Sequence, residues 1–129
     1  MKLQHIQQPE GSFCCGQACV AMLAGISLQT AIQAFGHQHR TKPREVQRQL
    51  RRLGLGVAGR RDGLRRIKGG YLPPTALVKM LPPKGIKSSR SHWVVIHDGV
   101  VYDPACPEGS VSSGRFSSYF AITLPPAKE

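Results

Sequence analysis

The dipeptide Asp98–Gly99 constrains the folding of this 129-residue chain more than any other feature. Asp-Gly accepts the successive left-handed backbone positions that close a two-residue hairpin. It stands between Trp93–Ile96 and Val100–Tyr102, two short runs of β-branched and aromatic residues that read as strands. With a two-residue loop Val94 faces Asp103, so His92 and Val94 share a face with Asp103 as a diagonal pair. The other face then carries Trp93, Val95 and Tyr102. A three-residue loop would place His92 and Asp103 on opposite faces, so the turn decides whether these two polar residues meet.

Ahead of the hairpin the pattern is helical. Cys15–Ala24 is rich in Ala, Met and Leu, with Gly25 placed to end it in a left-handed cap. Ser27 can cap a second helix, in which Leu28, Ile32 and Phe35 form an i, i+4, i+7 stripe before Gly36. A third helix is expected over Lys42–Leu53, capped by Thr41 and tolerating Pro43 in its first turn. Val46, Leu50 and Leu53 fall on one arc of it, with Arg44, Arg48, Arg51 and Arg52 opposite. Strands are expected at Ala76–Leu81 and Phe120–Leu124, and the first ten residues read as polar and extended. Helices first and strands second predict an α+β fold with an antiparallel sheet. There is no internal repeat and no dividing linker, so residues 1–129 read as a single domain.

Composition narrows the classes. With 40% hydrophobic and 19% charged residues the chain is globular in character. Ala18–Ile26, the longest apolar stretch, falls far short of the roughly 20 residues of a membrane span. Met1–Gly11 lacks the basic start and apolar run of a secretory signal, so a cytoplasmic protein with no membrane span is expected. The formal net charge is +11, and Arg40–Lys68 carries 11 of the cations against only Glu45 and Asp62. Exposed arginines on amphipathic helices are commonly just solvated. Here, however, opposing acids are scarce, and Arg44, Arg48, Arg51 and Arg52 are expected to offer a surface to an acidic protein or a nucleic acid.

The four cysteines do not form a disulfide framework, since Cys14 and Cys15 are adjacent and badly placed to bridge each other. No metal-ligand spacing is present, and no cofactor or metal is expected. Cys15 stands where a helix begins, and free backbone N–H groups and the helix dipole there favour a thiolate. With His92 and Asp103 it completes a nucleophile, base and orienting carboxylate. Cys19 reads as a small buried hydrophobe, Cys14 as structural or redox-sensitive, Cys106 as a spectator beside Asp103–Pro104, and His97 as a solvated turn residue.

Gln8, Cys15-Gly16-Gln17-Ala18-Cys19-Val20-Ala21-Met22-Leu23, His92-Trp93-Val94-Val95 and Asp103-Pro104-Ala105 together resemble the papain-like cysteine peptidases that process double-glycine leaders of bacteriocins. They are also similar to small papain-fold effectors with a Gln…Cys-Gly…His…Asp-Pro layout. The resemblance runs from residue 8 to about residue 124. It implies a papain-like fold and a free-standing thiol hydrolase of an amide bond: a peptidase, an isopeptidase or a glutamine deamidase. It further implies a protein or peptide substrate and a place in a bacterial cytosol or, for a delivered effector, a host cytosol. By the same resemblance Cys15 is the nucleophile, His92 the general base and later acid, Asp103 the residue orienting it, and Gln8 an oxyanion donor with the Cys15 backbone N–H. Two positions depart from the family pattern. Cys14 stands where an acidic residue is usual, and Gln8 precedes Cys15 by seven positions rather than six, which keeps Cys14 open as a nucleophile. A basic protein that keeps the fold but acts through its arginine face is the alternative. Gly69–Gly70 has the form of a double-glycine cleavage site but is assigned no role from sequence.

Overall fold

The computed structural model describes residues 3–58, 64–83, 85, 92–111 and 114–125. The Arg60–Arg61 part of the basic segment, most of the basic loop before His92 and the end of the Pro-rich tail lie outside them. Among the described residues three helices come first: α1 (Cys15–Ala24), α2 (Leu28–Phe35) and α3 (Pro43–Arg52). Six strands follow among them: β1 (Gly56–Val57), β2 (Arg65–Arg66), β3 (Thr75–Leu81), β4 (His92–His97), β5 (Val100–Tyr102) and β6 (Arg115–Thr123). The architecture is α+β. All pairings are antiparallel, in the order β1-β6-β3-β4-β5, with β2 also paired to β6.

The local signals act as expected at most helix ends. Gly25 (φ 70°) and Gly36 (φ 79°) end α1 and α2 in the left-handed conformation, and the Thr30 N–H donates to the Ser27 hydroxyl at 3.0 Å. The start of α3 differs. Lys42 occupies the cap position with no side-chain cap, and Thr41 turns away to pack on Gly16. Glu45 in the first turn of α3 and Arg51 and Arg52 in its last complement the helix dipole. Helix α1 is buried along Cys15–Leu23, because it is sandwiched between β4 of the sheet and the other two helices.

The hairpin closes as Asp98–Gly99 requires. Both residues have positive φ, 50° and 81°, and Val95 faces Tyr102 with His97 opposite Val100. His97 itself is a correction. It is buried, with Nδ1 2.7 Å from the Thr75 hydroxyl and Nε2 3.3 Å from Asp98, because β4 continues to His97 and draws the ring into the pairing with β3. The last strand is also longer than expected, running from Arg115 to Thr123 through the polar Ser117–Ser118. Strands β1 and β2 are two-residue segments along one edge of β6 that the sequence did not signal.

One apolar cluster fills the space between the helices and the sheet, with Val20, Leu50, Leu77, Val95 and Phe120 fully buried. Trp93 stacks on Phe120 at a centroid distance of 6.0 Å. A second, smaller cluster of Ala76, Val78, Met80, Val94, Ile96 and Tyr119 lies on another part of the sheet, packed with Ile67 and Leu72. No single helix among the described residues is long and apolar enough to cross a membrane.

Candidate active site

Three chain positions far apart in sequence meet at one rim of the sheet: the first residue of α1, the first residue of β4 and the residue after β5. His92 Nε2 lies 2.6 Å from Asp103 Oδ1. Facing a carboxylate, this nitrogen is the N–H donor, which leaves Nδ1 as the ring nitrogen available to Cys15, whose side chain acts on the charge of the same imidazole. Asp103 is buried, whereas the His92 side chain keeps 23% of its exposure. The site therefore has one open side.

The electrostatics follow from this layout. Burial by itself lowers the His92 pKa, because desolvation disfavours the charged ring. The hydrogen bonds to Asp103 and to Cys15, with the negative charges of both partners, outweigh it and carry the pKa from 6.5 to about 9. At neutral pH the ring is therefore an imidazolium held between a carboxylate and a sulfur.

Asp103 is held in place from several directions. Its Oδ1 also accepts the Ala105 N–H at 2.8 Å, and its carbonyl accepts from His5 Nε2 at 2.8 Å. The Gln8 N–H donates to the Pro104 carbonyl at 2.7 Å. The extended segment before α1 thus runs along the Asp103 loop and fixes it. His5 has no signal in the sequence beyond a lone imidazole in a polar extended segment.

Gln8 is brought to this neighbourhood, but its side chain is not aimed at the thiol. Its Nε2 donates to the Ser12 carbonyl at 2.9 Å and to the Ser12 hydroxyl at 3.2 Å, and its buried Oε1 has no protein partner. The Gln8 amide nitrogen, expected at the oxyanion, is instead engaged by the carbonyl and hydroxyl of Ser12, in the turn before α1.

Cys15 is itself buried, and the other thiols differ from it by their partners. Cys14 is buried with its sulfur 3.3 Å from the Ser12 hydroxyl. Cys19, one turn along α1, is fully buried, and its pKa is raised well above the ordinary value by burial, then by the Cys15 and Asp103 charges. Cys106 is partly exposed and is raised by desolvation and by Asp103. Gly16, which completes the Cys-Gly pair, has Thr41 against its Cα: a Cβ there would lie 2.1 Å from Thr41 Oγ1.

Arg44, Arg48, Arg51 and Arg52 lie on the exposed face of α3 as the helical pattern requires, and Arg51 also donates to the Val57 carbonyl at 3.2 Å. None of the four belongs to the Cys15 cluster. Among the described residues, no group of three or more His, Cys, Asp or Glu side chains could hold a metal ion. Comparison of the chain with protein-family models, with characterised proteins and with solved structures finds no match to any of them.

Proposed function

We propose that the protein is a cysteine hydrolase of papain-like type that cleaves an amide bond by way of an acyl-enzyme. The observation that carries this reading is His92 set between the Cys15 thiol and Asp103 Oδ1, with its charged form favoured up to about pH 9. The order Cys15 at a helix start, His92 at a strand start and Asp103 before a proline supports the papain-like assignment.

The nucleophile in this reading is the Cys15 thiolate, with the His92 imidazolium beside it. Cys15 attacks the carbonyl carbon of a bound amide, and the oxyanion forms next to the unpaired N–H groups of the first turn of α1. Collapse of this intermediate breaks the C–N bond as His92 gives its proton to the departing nitrogen. Water then attacks the thioester, with His92 taking up a proton, and the freed acid leaves. Asp103 holds the ring in the tautomer that keeps Nδ1 toward the sulfur. Gln8 joins the oxyanion site only if its amide swings from Ser12, giving up its bonds to the Ser12 carbonyl and hydroxyl, while its buried Oε1 has no protein partner to lose. A peptide, an isopeptide and a glutamine side chain all fit this chemistry and differ in the leaving amine.

Alkylation with a limiting thiol electrophile across pH, followed by peptide mapping, tests the proposal in the wild type and in His92→Ala. Cys15 is expected to react first at neutral pH and to lose that preference without His92. Equal, slow labelling of all four thiols, or preferred labelling of Cys14, would overturn the assignment.

A further inference from the structure

Away from the Cys15 cluster, two adjoining clefts open where β2 lies against β6. One, of about 350 Å³, is lined by Arg66, Ile67, Lys68, Leu81, Arg115, Phe116 and Ser117. The other, of about 440 Å³, is lined by Arg65, Arg66, Lys68, Tyr71 and Tyr119. Each is within the roughly 300–1,000 Å³ range of small-ligand sites. Arg66 and Lys68 belong to both, so the clefts share a pair of cations at their junction. No carboxylate lines either one among the described residues.

Arg65–Tyr71 is one short stretch of the chain, and folding lays β6 and Leu81 against it. Arg65 pairs with Tyr119 and Arg66 with Ser118, while the Ile67 N–H donates to the Ser117 carbonyl at 3.1 Å. Gly69 (φ 62°) and Gly70 (φ 73°) then make a turn that glycines allow at little strain, closed by the Tyr71 N–H on the Lys68 carbonyl at 3.2 Å. This turn, the double-glycine feature of the sequence, brings the Tyr71 ring back beside Lys68. Arg115 is steadied by Nε donating to the Pro82 carbonyl at 3.1 Å. Each cleft therefore pairs three cations with one exposed ring: Tyr71, 67% exposed, in one, and Phe116, 41% exposed, in the other.

From this geometry we infer that the two clefts bind a single-stranded nucleic acid, with a phosphate held between Arg66 and Lys68 and bases stacked on Tyr71 and Phe116. The cations alone would accept any polyanion, but the rings choose among polyanions. An aromatic face is electron-rich and repels a carboxylate, so an acidic peptide gains nothing from the ring faces of Tyr71 and Phe116. A base presents its own flat face and stacks. A duplex keeps its bases inside the stack and cannot use the rings at all. Neither cleft contains Cys15, His92 or Asp103, and binding is independent of the hydrolase chemistry. Met80 in β3 pairs with His92 on one side and with Phe116 on the other, which puts the Phe116 backbone two strand spacings, about 10 Å, from the His92 backbone.

Fluorescence anisotropy with a short labelled oligothymidylate, against the same strand annealed to its complement and with polyglutamate as competitor, tests this. The single strand is expected to bind more tightly than the duplex, and polyglutamate to displace it poorly. Tyr71→Ala should weaken single-strand binding about 5- to 150-fold, while Tyr71→Phe retains it. Arg66→Gln should weaken it and reduce the slope of log affinity against log salt by about one. Arg48→Gln on α3 and Cys15→Ala should leave it near the wild-type value. Tyr71 is exposed, and a thermal melt of its variants checks that the fold is kept. Binding indifferent to Tyr71→Ala, ready displacement by polyglutamate, loss on Arg48→Gln in place of Arg66→Gln, or no binding would each overturn the inference.

Discussion

At the scale of single residues, the site separates chemistry that neighbouring side chains of the same type could otherwise confuse. Cys14 and Cys15 are adjacent, yet one sulfur meets a serine hydroxyl and the other an imidazole. Turnover of any amide substrate should accordingly fall to background in Cys15→Ala, while Cys14→Ala keeps most of it; a dead Cys14→Ala with an active Cys15→Ala would reverse the roles. Asp103→Asn should lower kcat by about 10²–10⁴-fold, because the ring loses the carboxylate that fixes its tautomer and supports its charge. A structural role alone would leave the pH profile in place, so the profile is the second readout: the half-titration point assigned to His92 should move down from about 9. Gln8 is the sharper case. If its amide leaves Ser12 to serve the oxyanion, Gln8→Ala should reduce kcat by about 10²–10³-fold with little change in KM. A rate near wild type would mean that its bonds to Ser12 are its whole function.

At the scale of elements, legibility depends on how local the physics is. Gly25, Ser27 and Gly36 govern backbone within a few positions of themselves, and the limits of α1 and α2 follow directly from them. Asp98–Gly99 reaches further, because one turn geometry fixes the register of two strands and with it the meeting of His92 and Asp103. What was hidden depends on distant partners. Ser117–Ser118 precede the strand expected at Phe120–Leu124, but β6 continues through them since β3 and β2 take its two edges. Thr41 has the chemistry of a helix cap, yet its side chain lies over Gly16, in another helix, with a buried hydroxyl that has no protein partner. The Gly16–Thr41 contact makes a prediction of its own. Gly16→Ala should destabilise the fold by about 1–3 kcal/mol, as overpacking does. Adding Thr41→Ala should recover much of the loss, since it removes the clashing hydroxyl and no protein hydrogen bond goes with it. Denaturant midpoints of the two single variants and the double variant form the cycle; simple additivity would mean that the two residues do not press on each other.

At the scale of the whole molecule, the site joins segments that unfolding separates: His5 and Gln8, the start of α1, the start of β4 and the loop after β5. His92 meets its partners only in the folded chain, so its proton affinity reports on folding. Its ordinary pKa of 6.5 applies to the unfolded chain, and about 9 applies to the folded one. Between those values the folded state holds the proton more tightly, and by linkage stability falls as pH rises. The contribution is therefore complete below about 6.5, declines through the interval and is lost above about 9. His92→Gln removes the titrating ring. The difference in denaturant midpoint between wild type and His92→Gln should shift against the wild type as pH is raised across this window and level off on either side. Cys15→Ala should keep the effect but narrow the window, because the hydrogen bond to Asp103 raises the pKa more than the bond to the thiol. A difference that is flat with pH, or that grows in favour of the wild type as pH rises, would mean that the His92–Asp103 contact does not hold the proton in the folded protein. The acid step assigned to His92 would lose its basis with it, because at neutral pH the proton needed by the leaving amine is the one this contact retains.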